Sequence, residues 1–383
     1  MDRVAHPVVI QFVNTEIEIN VAKTLKPDRI LFLVTLVLVG FGVAMVFSSS
    51  AIMAKERFGD PNYFSFKQII SGTFGLAIMF IVMKVDYHTY RHPVIVFSTL
   101  AIVVAMLVVV FFLAASAKTH RWIQFSGFSM QPSEMAKLAL IFFLAYFLEK
   151  RKGKVNDLPF TLVPIAIIVA LLAGLILLQP DLGTAVALLA ISGVLLFVAG
   201  LDLRWIAASI IFTAPVFYLL IFRVRYRRER ILAFLNPWEE PLGRGFQMIQ
   251  SLLSVASGGI TGLGFMEGKQ KLFYLPEPHT DFIFAVVGEE LGLIGTCMLL
   301  ALFAVFLWRG VRASVRAPDL FGFYLGLGIT MMVCVQAFIN MSVVLGLLPT
   351  KGIPLPFLSY GGSSFVVMLV AVGILLNVSQ QSS

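Results

Sequence analysis

The sequence predicts an all-α integral membrane protein of about ten transmembrane helices, with one large extracytoplasmic loop between helices 7 and 8. Three observations carry this. Of the 383 residues, 59% are hydrophobic and only 13% charged, with a mean hydropathy of +0.92, and a soluble domain cannot accommodate that composition. Apolar runs recur along the chain at lengths near the roughly 20 residues that cross about 30 Å of hydrocarbon. No polar stretch between them is large enough to bury a core of its own, so residues 30–379 form a single membrane domain.

Residues 1–29 mix polar and apolar side chains and are expected to form a cytoplasmic tail. The run 30–53 is too long for a signal peptide and lacks a small-residue cleavage pattern, so it is a retained first span. Spans 68–85 and 92–114 follow, and 132–148 is the fourth. Near the start of that fourth span Glu134 and Lys137 lie three apart, hence on one helix face. Ionisable groups inside a span are costly and pair or face a polar cavity, so a water-filled cleft is expected beside them. Spans 160–178 and 182–200 meet in a tight reversal at Asp181, where an N-cap is the simple explanation. The seventh span is 203–222, and the loop 223–281 separates it from the eighth, 282–308. Glu289 and Glu290 fall about two turns into the eighth, so at least one should face protein or water. On the ninth, 320–345, Gln336 and Asn340 are four apart and read as helix bridges. Residues 359–364 resemble a broken or re-entrant helix before the tenth span, 362–379, and residues 380–383 form a short end.

An even number of spans puts both termini on one side. With the amino terminus cytoplasmic, the short loops carry fourteen Lys and Arg inside against six outside. The loop 223–281 adds eight to the outside, and long loops translocate with weak regard to charge. A formal charge of +8 could suggest nucleic acid, but these cations sit in loops without interleaved base-stacking aromatics. Membrane lipid headgroups are the expected counterpart, and no nucleic acid. Cys297 and Cys334 fall inside spans as small apolar fillers.

The loop 223–281 is where the chain departs from span and short turn. It opens with Arg-Val-Arg-Tyr-Arg-Arg-Glu-Arg, turns at Asn236-Pro237, and contains a short amphipathic or re-entrant helix at 246–256. The arginines read either as a headgroup-contacting patch or as a diphosphate clamp, since guanidinium forks match phosphate oxygens. Arg228 and Arg230 are the preferred clamp members because they precede the apolar 231–235 segment. At the end of the loop, Lys271, Glu277, His279 and Asp281 crowd against the apolar run that begins at Phe282. A carboxylate at a water boundary beside cations is where chemistry on a lipid-linked substrate could occur. No nucleotide-binding glycine loop, zinc-type His and Cys spacing or Gly-x-Ser-x-Gly elbow is present, and five histidines make a His-built metal site improbable. Any energy source lies in the substrate or an ion gradient.

Five motifs in order then carry a resemblance. They are Gln131-Pro-Ser-Glu-Met-Ala-Lys137, Gln179-Pro-Asp-Leu-Gly183, Tyr274-Leu-Pro-Glu-Pro-His-Thr-Asp-Phe-Ile-Phe284 with Gly288-Glu-Glu-Leu-Gly292, Pro349-Thr-Lys-Gly352 and Ser359-Tyr-Gly-Gly-Ser363. Together they resemble the SEDS family (shape, elongation, division and sporulation) over about residues 30–379. The Arg-Arg-Glu-Arg and Pro-Thr-Lys-Gly stretches are more similar to its division branch, whereas Leu355-Pro-Phe357 is closer to the elongation branch.

The resemblance implies a peptidoglycan glycosyltransferase of the bacterial inner membrane that polymerises lipid II during cell division and releases undecaprenyl diphosphate. It implies a class B penicillin-binding protein as transpeptidase partner, within the division or elongation machinery. The family's essential outer-loop acid matches Asp281, and its intramembrane Glu and Lys match Glu134 and Lys137. In that frame Asp281 is either the general base on the acceptor hydroxyl or an oxygen ligand of a divalent cation, Mg or Mn. Arg228, Arg230, Lys271 and Lys351 would neutralise the diphosphate, with Glu277, His279 and Ser359 as further substrate contacts. A lone carboxylate predicts single displacement with inversion. Two readings from other classes stand beside this one: a lipid II flippase using the Glu134 and Lys137 cleft, and a scaffold that recruits a transpeptidase.

Overall fold

The computed structural model describes residues 26–113, 121–125, 128–272 and 274–381. Most of the expected amino-terminal tail, Lys118 and the last two residues lie outside these. Helix α1 (Arg29–Phe58) starts where the Asp28 carboxylate accepts from the Ile30 and Leu31 amides at 3.0 Å each, and stops at left-handed Gly59. Helices α2 (Tyr63–Val82) and α3 (Pro93–Leu113) follow, then a small antiparallel hairpin, β1 (Ile123–Phe125) with β2 (Phe128–Met130). Helix α4 is Pro132–Lys150, α5 Val163–Leu178, α6 Leu182–Val198 and α7 Leu203–Phe222. The long loop folds into α8 (Arg225–Leu235) and α9 (Phe246–Ser257), before α10 (Ile283–Val315), α11 (Leu320–Val344) and α12 (Gly362–Gln381).

Each predicted span falls on one of these helices, and the short helix expected at 246–256 is α9. Among the described residues, seven helical segments are long and apolar enough to cross a membrane by length and composition alone. Helix α6 and the described apolar part of α7 are shorter, and α4 carries Glu134, Lys137, Glu149 and Lys150. The chain is a multi-pass membrane protein. Helix α11 is the centre of the bundle, packed against α4, α6, α10 and α12, while no described residue of α7 is buried.

Alternation of the helices gathers the turns 59–62, 121–131 and 179–181, the long loop and the 345–361 segment at one end. The opposite end is tied by charge: Arg309 bonds Asp28, and His88 bridges Asp86 at 2.7 Å and Asp319 at 3.0 Å.

The loop 223–281 is fastened to α10 at a break in that helix. Gly292 has φ 62° and ψ −157°, which interrupts the helical ladder. The freed carbonyls of Glu289 and Glu290 accept from the Leu263 and Gly264 amides at 3.0 Å each. The Leu293 and Ile294 amides donate to Gly259 and Ile260 carbonyls at 2.9 and 3.1 Å. Gly262 is required at φ 82°, because a Cβ there would overlap the Glu290 carbonyl. The two acids fix the rest of the loop. Glu289 accepts from the Lys269 amide at 2.6 Å, and Glu290 pairs with Lys271 at 2.7 Å and accepts from the Ser48 hydroxyl. The 359–364 segment is not a broken helix: it is irregular loop to Gly361, and α12 begins at Gly362.

Candidate active site at the membrane rim

Five separate segments meet around Asp281 at the loop end of the bundle. They enclose a cavity of about 170 Å³ lined by Arg121, Pro180 to Gly183, Arg227, Arg230, Ile231, Asp281 and Pro349 to Gly352. Four cations, Arg121, Arg227, Arg230 and Lys351, face two carboxylates, Asp181 and Asp281, so the lining is net positive. Such a lining suits an anion carrying two or more charges.

Local structure explains each placement. Asp281 sits two residues before α10, where the end of the loop turns into the helix. Asp181 caps α6, accepting from the Thr184 amide at 3.1 Å and its hydroxyl at 2.8 Å, and it also accepts from Gln131 at 3.1 Å. The N-cap reading is correct, and the capped carboxylate also lines the cavity. Arg227, Arg230 and Ile231 share one stripe of α8, three and four residues apart. Arg230 donates to the Thr350 carbonyl at 3.0 Å and Arg227 to the Leu177 carbonyl at 3.2 Å. Arg121 donates to the Gln179 carbonyl at 2.9 Å.

The acid is tuned by this setting. Burial and the negative charges of Glu277 and Asp181 push Asp281 up to about 6, against the pull of Arg230 and Arg121. Burial and the Arg230 and Arg227 charges lower Lys351. The carboxylate lies against backbone, since a Cβ added at Gly352 would come 2.7 Å from Asp281 Oδ2. Gly352→Ala is therefore expected to push the carboxylate out of place and cut turnover about 100-fold, with the fold retained. Turnover and melting temperature of the purified variant check this.

Arg230 and Lys351 line the cavity, but several other expected contacts are placed elsewhere. Arg228 points to the opposite side of α8, into a surface hollow with Arg225, Glu229, Glu240 and Arg244. Lys271 is buried against Glu290, because a carboxylate in the α10 interior needs a counter-charge. Glu277 is exposed and acts on Asp281 through its charge, not as a lining group. His279 is buried between the Phe64 and Tyr360 rings, and burial lowers it to about 4, so it is neutral. Ser359 is a clasp: its hydroxyl donates to the Thr280 carbonyl at 2.5 Å and accepts from the Leu355 amide at 2.7 Å.

Glu134 and Lys137 do not border a cleft. They are 2% and 1% exposed and pair at 2.9 Å. Lys137 also bonds Gln336, and Ser364 donates to Glu134 at 3.0 Å. The groove beside α4 is lined instead by apolar neighbours such as Met135, Leu138 and Val366. Three cavity residues escaped the sequence as ligands. The 3.6-residue phase of α8 could have favoured Arg227 over Arg228, whereas nothing local marks Arg121 or the second role of Asp181.

A multi-pass helical bundle with a cation-ringed acid at one rim is the class these features define. The family model described as "Cell cycle protein" (FTSW_RODA_SPOVE) matches residues 28–383, and the chain belongs to that family. It is 46% identical over 367 residues to the "Probable peptidoglycan glycosyltransferase FtsW" of Geobacter metallireducens, covering 96% of this chain and 98% of that protein. It is 44% identical over 365 residues to "Stage V sporulation protein E" of Bacillus subtilis, covering 94% and 99%. A solved structure described as "Structural coordination of polymerization and crosslinking by a peptidoglycan synthase complex" superposes with TM-score 0.76 at 28% identity, over 92% of this chain and 97% of that one. The rod shape determining protein RodA of Thermus thermophilus shares the fold, with TM-score 0.67 at 24% identity over 93% and 97% of the two chains.

Proposed function

We propose that this chain is a peptidoglycan glycosyltransferase that polymerises lipid II on the outer face of the bacterial inner membrane during cell division. The observation that carries the reading is Asp281, lifted to about 6 and set among four cations at the rim of the bundle. Both termini are cytoplasmic in this reading, which puts the cavity outside and agrees with the Lys and Arg of the short loops.

The acceptor sugar's 4-hydroxyl gives its proton to Asp281 as its oxygen attacks the donor's anomeric carbon, and the bond to undecaprenyl diphosphate breaks. Arg230, Arg227, Arg121 and Lys351 neutralise the departing diphosphate, and their fixed placement costs little reorganisation. Asp181 is already held by three donors, which leaves Asp281 as the base. One base and one leaving group give inversion. Among the described residues no three His, Cys, Asp or Glu assemble to hold a metal ion. A divalent cation, Mg or Mn, would have Asp281 as its protein ligand in place of the base role, and would supply further neutralisation of the leaving group. A class B penicillin-binding protein serves as the transpeptidase partner, alongside other division machinery, in keeping with the synthase complex this fold resembles.

Purified protein, alone and with such a partner, incubated with lipid II should yield glycan strands. Labelled lipid crossing between leaflets without polymer would replace this reading with transport. The base must be ionised to accept a proton, so turnover should fall as pH drops through about 6. A pH profile flat from 5 to 8 would remove Asp281 from that role.

A further inference from the structure

The proposed chemistry leaves two buried amides of α11 unused. Asn340 is 2% exposed, and its Nδ2 donates to the Ile353 carbonyl at 2.7 Å and to the Asp281 carbonyl at 2.8 Å. One side chain thereby joins the main chain of the acid to that of the 349–355 segment. One turn earlier, Gln336 is 1% exposed and donates to the next carbonyl, Pro354, at 2.9 Å. Its Oε1 accepts from Lys137, which holds Glu134. The two amides thus grip consecutive carbonyls immediately after Gly352, the residue against which the Asp281 carboxylate rests. On the far side of the same segment, Ile353 is buried, and a Cβ at Gly183 would collide with its side chain.

We propose that Asn340 and Gln336 are positioning residues for Asp281. Asn340 clasps the acid to the Lys351–Ile353 strip, and Gln336 anchors that strip to the intramembrane Glu134–Lys137 pair. The ion pair then acts on the reaction from a distance, through Gln336 and the Pro354 carbonyl, without touching substrate. A leucine pair at 134 and 137 could not do this, because it offers Gln336 no charged donor to orient its amide.

The inference rests on Asp281 being the base, and its test separates the two. Purified wild type, Asp281→Asn, Asn340→Leu and Gln336→Met are assayed with lipid II, with kcat and KM determined separately. Gln336→Met adds no charge and loses the donor to Pro354 together with the acceptor for Lys137. Both amide variants should lose about 10- to 100-fold in kcat, the cost of a misplaced reacting group, with KM nearly unchanged. If Asn340→Leu does not fold, Asn340→Ser, which keeps one short donor, should show the same split in milder form. Unchanged kcat in folded variants, or a rise in KM alone, overturns the positioning role while leaving the reaction intact. Absence of polymer from wild type sinks both.

Discussion

Asp281→Asn should give a protein that folds, reaches the membrane and makes no measurable glycan. Removing a general base costs about 10²- to 10⁴-fold, and in this cavity Asp181 is already committed to Thr184 and Gln131 and cannot take its place. Stability should move the other way. The folded-state value near 6 is above the ordinary 3.8, so the fold disfavours the ionised carboxylate. Whatever stability the protonated group contributes is present in full below about pH 3.8 and is lost as pH rises through about 6. At pH 7 the Asn variant, which carries no charge to bury, should therefore melt no lower than wild type. Loss of polymer together with a lowered melting temperature would mean that Asp281 is structural.

Removing one partner of the intramembrane ion pair should produce the largest loss of stability. Glu134 and Lys137 are almost wholly buried, so Lys137→Leu leaves an uncompensated carboxylate and Glu134→Leu leaves an uncompensated ammonium. Each single variant should lose about 3–5 kcal/mol, read as unfolding in detergent micelles. The double leucine variant should regain most of that, because the cost of a buried pair is mainly the desolvation of its charges. A double variant as unstable as the singles would place the cost in Gln336 and Ser364, one of which loses its bond to the pair in each single variant and both of which lose it in the double.

The bundle was legible because lipid imposes one rule on every span: backbone polar groups must bond within the helix, and side chains must be apolar. Runs of about 20 apolar residues report that rule directly. Asp281 was legible for a related reason, as a charge standing at the first residue of water beyond an apolar run. The cavity around it was not. Its walls come from residues 121, 180–183, 227–231, 281 and 349–352, and no spacing along the chain joins them. Lys271 stands near Asp281 in sequence, yet its ammonium goes to Glu290 and Ser48, a choice made by the fold of the loop on α10. Glu134 and Lys137 announced themselves as a pair by spacing, but whether water or Gln336 faces them depends on α11, about 200 residues away.

The interruption of α10 at Gly292 also constrains biogenesis. Until residues 259–264 dock there, two carbonyls and two amides of that span have no partner, and each would cost several kcal/mol in hydrocarbon. The preceding polar segment must therefore fold back onto the helix before the eighth predicted span can settle at full depth, so loop and span complete one another in a single step of assembly.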